Sequence, residues 1–457
     1  MLKSTFVTLA LSLLVVDSVA ADQSWQSSLW KGSYGGYPYY SKTCVVPHKD
    51  GQDDSPEIVK VFQQCNKNAQ IVFKEGVDYN MWSPMSWVNL SGVTISLNGN
   101  LHLPNNITAV QQKVATNPNP PSNYAIPWIY IQGSNVYLKG SSSKKGGAFH
   151  GYGQQWWDIG NRTLRPQLAT FNVTKGWISK IKVIKPVAWG FNIPGVNITI
   201  TDHFVDAAPG NSTRDSTISF PFNTDGFNMA GQNIVLDGYY GHNGDDCVSV
   251  VNGARNILAK NGYCGFSSHG LSIGSLGRNG ANHTVKNVLF KDWTMEGAVY
   301  GARFKSWTGG RGLAENVTWQ NIKVVNVSTP IFVTQNYYDQ DKGPRPNNTE
   351  GTSTHLNNIL FDNFSGTIGP NPTDGTCISN PCWNYVQGAD GTQAIIFDLF
   401  NNTALNLQAT RVKTKPIKGS YSDTTVICDP STLAPGEQNT LGFQCQRGPF
   451  VTTPITA

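Results

Sequence analysis

Four polar clusters in the middle of this 457-residue chain carry residue types suited to general acid–base chemistry. They are Asn223-Thr224-Asp225-Gly226, Gly244-Asp245-Asp246-Cys247, His269-Gly270 and Arg303-Phe304-Lys305. Together they hold three carboxylates, one imidazole and two cations. Three acids packed together cannot all ionise cheaply, so one holds a proton at mildly acidic pH. Taken singly, each cluster has a plainer reading. Asn-Thr-Asp-Gly and Gly-Asp-Asp are good turn sequences, a lone histidine is more often structural, and Arg-Phe-Lys fits a strand edge with Phe304 inward. The spacing argues for a common purpose. Asp225 to Asp246 is 21 residues and Asp246 to His269 is 23.

That spacing matches a repeat. An asparagine followed by a β-branched or apolar alternation recurs as Asn135-Val-Tyr-Leu, Asn197-Ile-Thr-Ile, Asn233-Ile-Val-Leu, Asn256-Ile-Leu-Ala, Asn287-Val-Leu-Phe, Asn316-Val-Thr-Trp and Asn358-Ile-Leu-Phe, with Gly92-Val-Thr-Ile as a variant. Short strands bounded by Asn, Gly and Asp every few tens of residues indicate a β-solenoid, whose coils bury their apolar side chains only by stacking. A propeller needs a longer, more regular period. The fold expected is all-β, a parallel β-helix in which asparagine ladders satisfy the turns. Residues one coil apart then lie about 4.8 Å apart, which brings Asp225, the Asp245/Asp246 pair and His269 into one column. The 34-residue step from His269 to Arg303 needs an insertion, and Arg278–Asn282 supplies it. Adjacent strand residues face opposite ways, so the Asp-Asp pair belongs at a bend rather than inside a strand, with Gly244 permitting the bend.

One segment has helical periodicity, Pro56–Cys65, with Ser55 as its N-cap, and a short helix there would cap the open N-terminal end of the solenoid. The segments 117–123 and 343–349 are rich in Pro and Asn and read as loops. Eight cysteines in an oxidising compartment favour disulfides, and the simplest connectivity joins sequence neighbours: Cys44–Cys65, Cys247–Cys264, Cys377–Cys382 and Cys428–Cys445. No Cys/His cluster has zinc spacing, so neither a metal nor another cofactor is expected.

The N-terminus sets the compartment. Lys3, an apolar run from Phe6 to Val16 and Ser18-Val19-Ala20 read as a secretory signal peptide over residues 1–20, too short to span a membrane. Residues 21–457 then form one β-helix catalytic domain with terminal caps. Twelve Asn-x-Ser/Thr sequons, at Asn89, Asn106, Asn161, Asn172, Asn197, Asn211, Asn282, Asn316, Asn326, Asn347, Asn363 and Asn401, point to a secreted, extracellular glycoprotein with those positions at the surface. Only 14 % of residues are charged, and the net charge of +5 has no basic run behind it, which argues against nucleic acid. A mildly basic secreted monomer suits an acidic polymer.

The four clusters, in this order, resemble the signature motifs of the polygalacturonase family, glycoside hydrolase family 28, and the similarity runs from about Gly92 to Asn363. The resemblance implies a right-handed parallel β-helix that hydrolyses α-linked galacturonic acid in pectin with inversion. It implies that Asp245 is the general acid, that Asp225 and Asp246 position and activate water, and that His269 tunes the acid. Arg303 and Lys305 would grip the substrate carboxylate, the former with its bidentate fork. Asn223 would support substrate or water, and Tyr337, with Tyr338 beside it, matches a substrate-binding tyrosine. Cys247 and Cys264 match a family disulfide. The chemistry suits the residues: an inverting glycosidase needs one carboxyl to protonate the leaving oxygen and a carboxylate base to activate water from the opposite side.

Two departures bear on the mode of action. Residue 304 is Phe where the family usually has Ile, an inward position. Residue 244 is Gly, where endo-acting relatives tend to carry Gln and exo-acting ones Gly. Long loops around 105–128 and 340–354 would wall off one end of the cleft. The expectation is therefore an exo-polygalacturonase that releases single galacturonic acid units from the non-reducing end. The alternatives are an exo-acting rhamnogalacturonan galacturonohydrolase with the same catalytic residues, a calcium-dependent pectate lyase, and a non-catalytic polysaccharide-binding solenoid.

Overall fold

The computed structural model describes Trp25 and residues 37–122, 124–210, 219–338, 351–370, 374–377 and 381–456. The expected signal peptide and the sequons at Asn211 and Asn347 lie outside these residues, as does most of the 340–354 loop. The chain winds as a parallel β-helix. Its named strands pair in parallel with those one coil away, and the last pair, Thr425–Cys428 with Arg447–Pro449, is antiparallel.

The repeat read from the sequence is the column on which the coils turn. Asn197, Asn233, Asn256, Asn287, Asn316, Asn358 and Asn406 all have positive φ, from +49° at Asn406 to +59° at Asn316. Asparagine tolerates this left-handed conformation better than other residues with a Cβ. From Asn233 onward each Nδ2 donates to the Oδ1 of the asparagine one coil before, at 2.8–3.0 Å. Strand register places Gly92, Asn135, Lys175 and Asn197 at the same position on successive coils. Lys175, at φ +60°, holds one rung without the asparagine signature, so the sequence pattern skips that coil.

Two sequon asparagines are engaged in side-chain stacks of this kind. The Asn316 and Asn363 amides each donate a hydrogen bond inside the stack, to Asn287 Oδ1 at 2.8 Å and Asn321 Oδ1 at 2.9 Å. Both residues are only half-exposed.

One face of the helix is built from short strands that form a floor: Phe227–Met229, Val248–Val250, Leu271–Leu276, Tyr300–Trp307 and Thr329–Tyr337. Alternation sends Phe227 and Met229, Val248 and Val250, Leu271 and Ile273, Ala302 and Phe304, and Ile331 and Val333 into the core. Phe304 is inward, as expected. The intervening residues Asn228, Ser249, Ser272, Arg303 and Phe332 form a row on the opposite side.

Both ends are capped. The expected helix spans Ser55–Gln64 and buries Ile58 and Phe62, the latter stacked on Trp87 at 4.2 Å. Its N-cap is Asp54 rather than Ser55, and the Asp54 side chain makes no cap bond. That carboxylate accepts instead from His48 Nδ1, Lys49 N and Asn80 N, tying the helix entrance to the first coils. At the other end Phe443 packs on Phe397, and Cys428–Cys445 closes the cap. All four disulfides join sequence neighbours as expected. The 105–128 segment is not all loop: Ile107–Ala115 is a helix whose N-cap Asn106 accepts from Ala109 N.

Candidate active site

The acids gather where the coil turns into the floor. Phe227 pairs with Val248, and Val248 with Leu271. Asp225, Asp246 and His269 each stand two residues before these partners, so they share one position on three successive coils. Asp245 sits one residue earlier, in the bend Gly244–Asp245. The glycine is required by space: a Cβ at residue 244 would lie 2.3 Å from the Pro221 carbonyl oxygen. The Cys247–Cys264 bridge pins the strand that follows.

Each carboxylate has its own surroundings. Asp246 accepts from Arg303 Nη2 and Ser272 Oγ on one oxygen and from Lys305 Nζ, at 3.1 Å, on the other. Asp245 accepts from His269 Nδ1 at 2.9 Å and from its own neighbour's amide, Asp246 N, on Oδ1, and from Asn223 Nδ2 at 3.1 Å on Oδ2. Asp225 is 7 % exposed, and its Oδ1 has no partner among the described residues.

These surroundings sort the proton affinities. Burial, followed by the charges of Asp245 and Asp246, pushes the Asp225 carboxyl well above the usual carboxylate range. Burial alone would raise Asp245 too, but the adjacent His269, Lys305 and Arg303 reverse this and hold it well below that range. His269 is buried, which disfavours its charge, yet the carboxylates of Asp374 and Asp245 outweigh burial and Arg303 and push it up to about 9.

The structure brings all eight anticipated side chains to this cleft, some in different employment. Asn223 is engaged within the protein, donating to Asp245 and accepting from Arg165 Nη2 at 2.6 Å. Arg303 is fully buried and holds Asp246 and Ser272 Oγ with two of its nitrogens, so its fork is not free as a pair. Its Nη1 is also buried and has no partner among the described residues. Lys305 lies over the Tyr337 ring at 5.6 Å. Tyr338 is buried and donates to the Pro381 carbonyl, which leaves Tyr337 as the tyrosine on the cleft side.

Two features escaped the sequence. Asp374, 3 % exposed, accepts from His269 Nε2 at 3.1 Å across 105 residues of chain. Trp383 also closes the floor, packing with Tyr300, Phe332 and Ile396 over the row beyond Arg303. Only tertiary contact reveals this wall. On the other side of Asp225 the floor is polar, with the buried Asn192 Oδ1 and Thr170 Oγ1 lacking partners among the described residues. There, Tyr124 from the 105–128 segment stacks on Trp189.

Asp245, Asp246 and His269 also have the composition of a metal cluster, with ligand atoms within 4.8 Å of one another. Their partners do not fit that use. Both imidazole nitrogens face carboxylate oxygens, and Arg303 and Lys305 already place positive charge on Asp246.

Comparison with known proteins agrees with this geometry. The family described as Glycosyl hydrolases family 28 matches residues 84–385. The "Probable exopolygalacturonase C" of Aspergillus terreus is 40 % identical over 422 residues, covering 90 % of this chain and 93 % of its own. The protein of the same name from Neosartorya fischeri is 38 % identical over 427 residues, again covering 90 % and 93 %. Among solved structures, the endo-xylogalacturonan hydrolase of Aspergillus tubingensis superposes with a TM-score of 0.68 at 20 % identity, covering 89 % of this chain and 99 % of its own. The exopolygalacturonase of Thermotoga maritima gives 0.61 at 13 % identity, covering 86 % and 93 %. These two likenesses concern the fold. With its four motifs assembled on one β-helical floor, the chain belongs to glycosyl hydrolase family 28 and is a glycoside hydrolase.

Proposed function

We propose that this protein is a secreted exo-polygalacturonase that releases galacturonic acid from the non-reducing end of polygalacturonate with inversion. The observation that carries the reading is the cluster itself: three buried carboxylates, one imidazole and two cations on one floor. Asp245 protonates the leaving oxygen as the bond from the anomeric carbon breaks. Water attacks from the opposite side and gives its proton to Asp225, whose raised affinity suits it as a base near working pH. Asp246, fixed by Arg303 and Lys305, helps hold that water. Arg303 Nη1 and Lys305 take the substrate carboxylate, which favours an anionic sugar.

Three observations support exo action. The relatives at 38–40 % identity carry that name. Gly244 sits where any side chain would strike Pro221. The floor is covered beyond Arg303 by Trp383 and its neighbours. The test is a time course of product lengths on unmethylated polygalacturonate in the presence of a chelator. Saturated monomer alone from the first time point is expected, and Asp245→Asn should lower the rate roughly a thousandfold. A spread of oligomers would show endo action. An unsaturated, chelator-sensitive product would mean a lyase.

A further inference from the structure

We propose that Asp374 is a positioning residue for this reaction: it holds the His269 ring charged and oriented, with Nδ1–H aimed at Asp245, so that a proton stands in reserve for the leaving group. The inference rests on the role proposed above for Asp245.

The argument starts from the imidazole's hydrogens. A neutral histidine has one ring N–H, and the imidazolium has two. His269 has a carboxylate oxygen at both nitrogens, Asp245 Oδ1 at 2.9 Å and Asp374 Oδ1 at 3.1 Å. Either the ring carries both protons, or one of these acids is protonated. Asp374 is provided with donors to remain ionised. Thr376 N and Thr376 Oγ1 donate to its Oδ1 at 2.9 and 2.7 Å, and Asn384 Nδ2 approaches Oδ2 at 3.4 Å. Burial opposes its charge, but His269 and Thr376 hold the carboxyl below its usual range. Asp245 is likewise held ionised, so the ring carries the proton.

Among the described residues, the charged and titratable groups facing His269 are Asp245, Asp374, Arg303 and the ring of Tyr300. Arg303 opposes the imidazolium, so Asp245 alone would face both cations. Asp374 is the second anion that keeps the ring charged at 2 % exposure. Its placement is fixed. The Cys377–Cys382 bridge closes the turn, Trp383 Nε1 donates to Thr376 Oγ1, and the Trp383 ring meets the His269 ring edge-on at 6.0 Å.

An acid held ionised has no proton of its own to donate. With the reserve in place, Asp245 passes a proton to the leaving oxygen, which keeps the electron pair of the broken C–O bond. The proton Asp245 passes on is drawn from His269 Nδ1. The ring ends neutral, with Nε2–H still on Asp374, and recovers its second proton from solvent.

The test uses the full-length secreted protein with Asp374→Asn and Asp374→Glu. Initial rates of reducing-end formation on unmethylated polygalacturonate are measured against pH, and the His269 C2–H is titrated by NMR. For Asp374→Asn, kcat should fall roughly tenfold or more while KM stays within about twofold, because the lost charge acts on the proton and not on binding. The alkaline limb and the His269 midpoint should both move to lower pH, by about one unit or more. Asp374→Glu should restore most of both. A lowered kcat with the limb and the midpoint in place would overturn the proposal and leave Asp374 a purely structural brace of its turn. Counting reducing ends serves exo and endo cleavage alike, so failure of the exo reading would appear only in the product lengths. If wild type does not cleave polygalacturonate, an unshifted His269 midpoint in Asp374→Asn overturns the proposal by itself.

Discussion

Asp225 and Asp246 stand at the same position on adjacent coils, yet Asp246 is held by two cations and a hydroxyl while Asp225 Oδ1 has no partner among the described residues. The two acids therefore face opposite electrostatic problems. Asp225 binds its proton more tightly in the folded chain than in the unfolded one, where its pKa is 3.8. Its contribution to stability is fully present below that value and is lost as pH rises through the folded one. Asp225→Asn should abolish activity and raise the melting temperature, with the gap from wild type widening as pH rises above about 4. A gap that is constant with pH would show that Asp225 is not strained by its charge.

Arg303 should resist a change that conserves its charge. Lysine has no planar fork, so it cannot hold Asp246 and Ser272 while presenting a further N–H to the ligand. Arg303→Lys should lower kcat/KM on polygalacturonate roughly ten- to hundredfold. A loss of less than about threefold would mean that Nη1 is not an anchor for the substrate carboxylate.

His203 gives the fold an acid weakness unrelated to the site. Its ring is 2 % exposed among Phe191, Phe227 and Tyr239, and neither nitrogen has a partner among the described residues. Burial pushes it down to about 3, so the stability it contributes is full above its ordinary value of 6.5 and is lost as pH falls toward 3. His203→Leu removes this one proton, up to about 1.4 kcal/mol per pH unit in that window. Unfolding free energies at several pH values check it, and an unchanged slope would rule the residue out.

The asparagine column invites two substitutions at one rung. Asn287→Ala loses both the hydrogen bonds and the tolerance for φ +56°, and should cost about 2–4 kcal/mol. Asn287→Gly keeps the backbone at ease, so the difference between the two variants reads the strain, expected at about 1 kcal/mol. Equal losses would mean that the ladder bonds carry the whole effect. The same geometry predicts, by glycopeptide mass spectrometry, no glycan on Asn316 or Asn363, because the Nδ2 that would carry the sugar is held in the stack and each residue is only half-exposed.

Much of this was legible in the chain because its cause is local. A left-handed residue at the turn favours asparagine, so most coils and the stacking of Asp225, Asp246 and His269 follow from spacing, while the coil that turns on Lys175 does not show. The bend at Gly244 was legible too, although its reason is the nearness of Pro221 and no spacing shows that. Asp374 was not legible. It lies 105 residues from its histidine in a segment without the repeat, and nothing in its neighbours marks it as buried. The wall at Trp383 failed to show for the same reason. Asn106 is the opposite case: an N-cap is a local signal, but the sequon and the surrounding prolines masked the helix it opens. Asp54 displaced Ser55 as N-cap because the carboxylate also has three donors from the first coils to satisfy.

The asparagine rungs are separated along the chain by as few as 23 residues and as many as 48, yet their bonds stay at 2.8–2.9 Å at both extremes. Each rung resets the coil, so a longer or shorter excursion on one turn is forgotten by the next. Loops above the floor are therefore free to lengthen, shrink or be exchanged between lineages while the three acids keep their places. A scaffold of this kind separates inheritance of the chemistry from inheritance of the substrate, and new specificities can arise by cut and paste at the cleft rim.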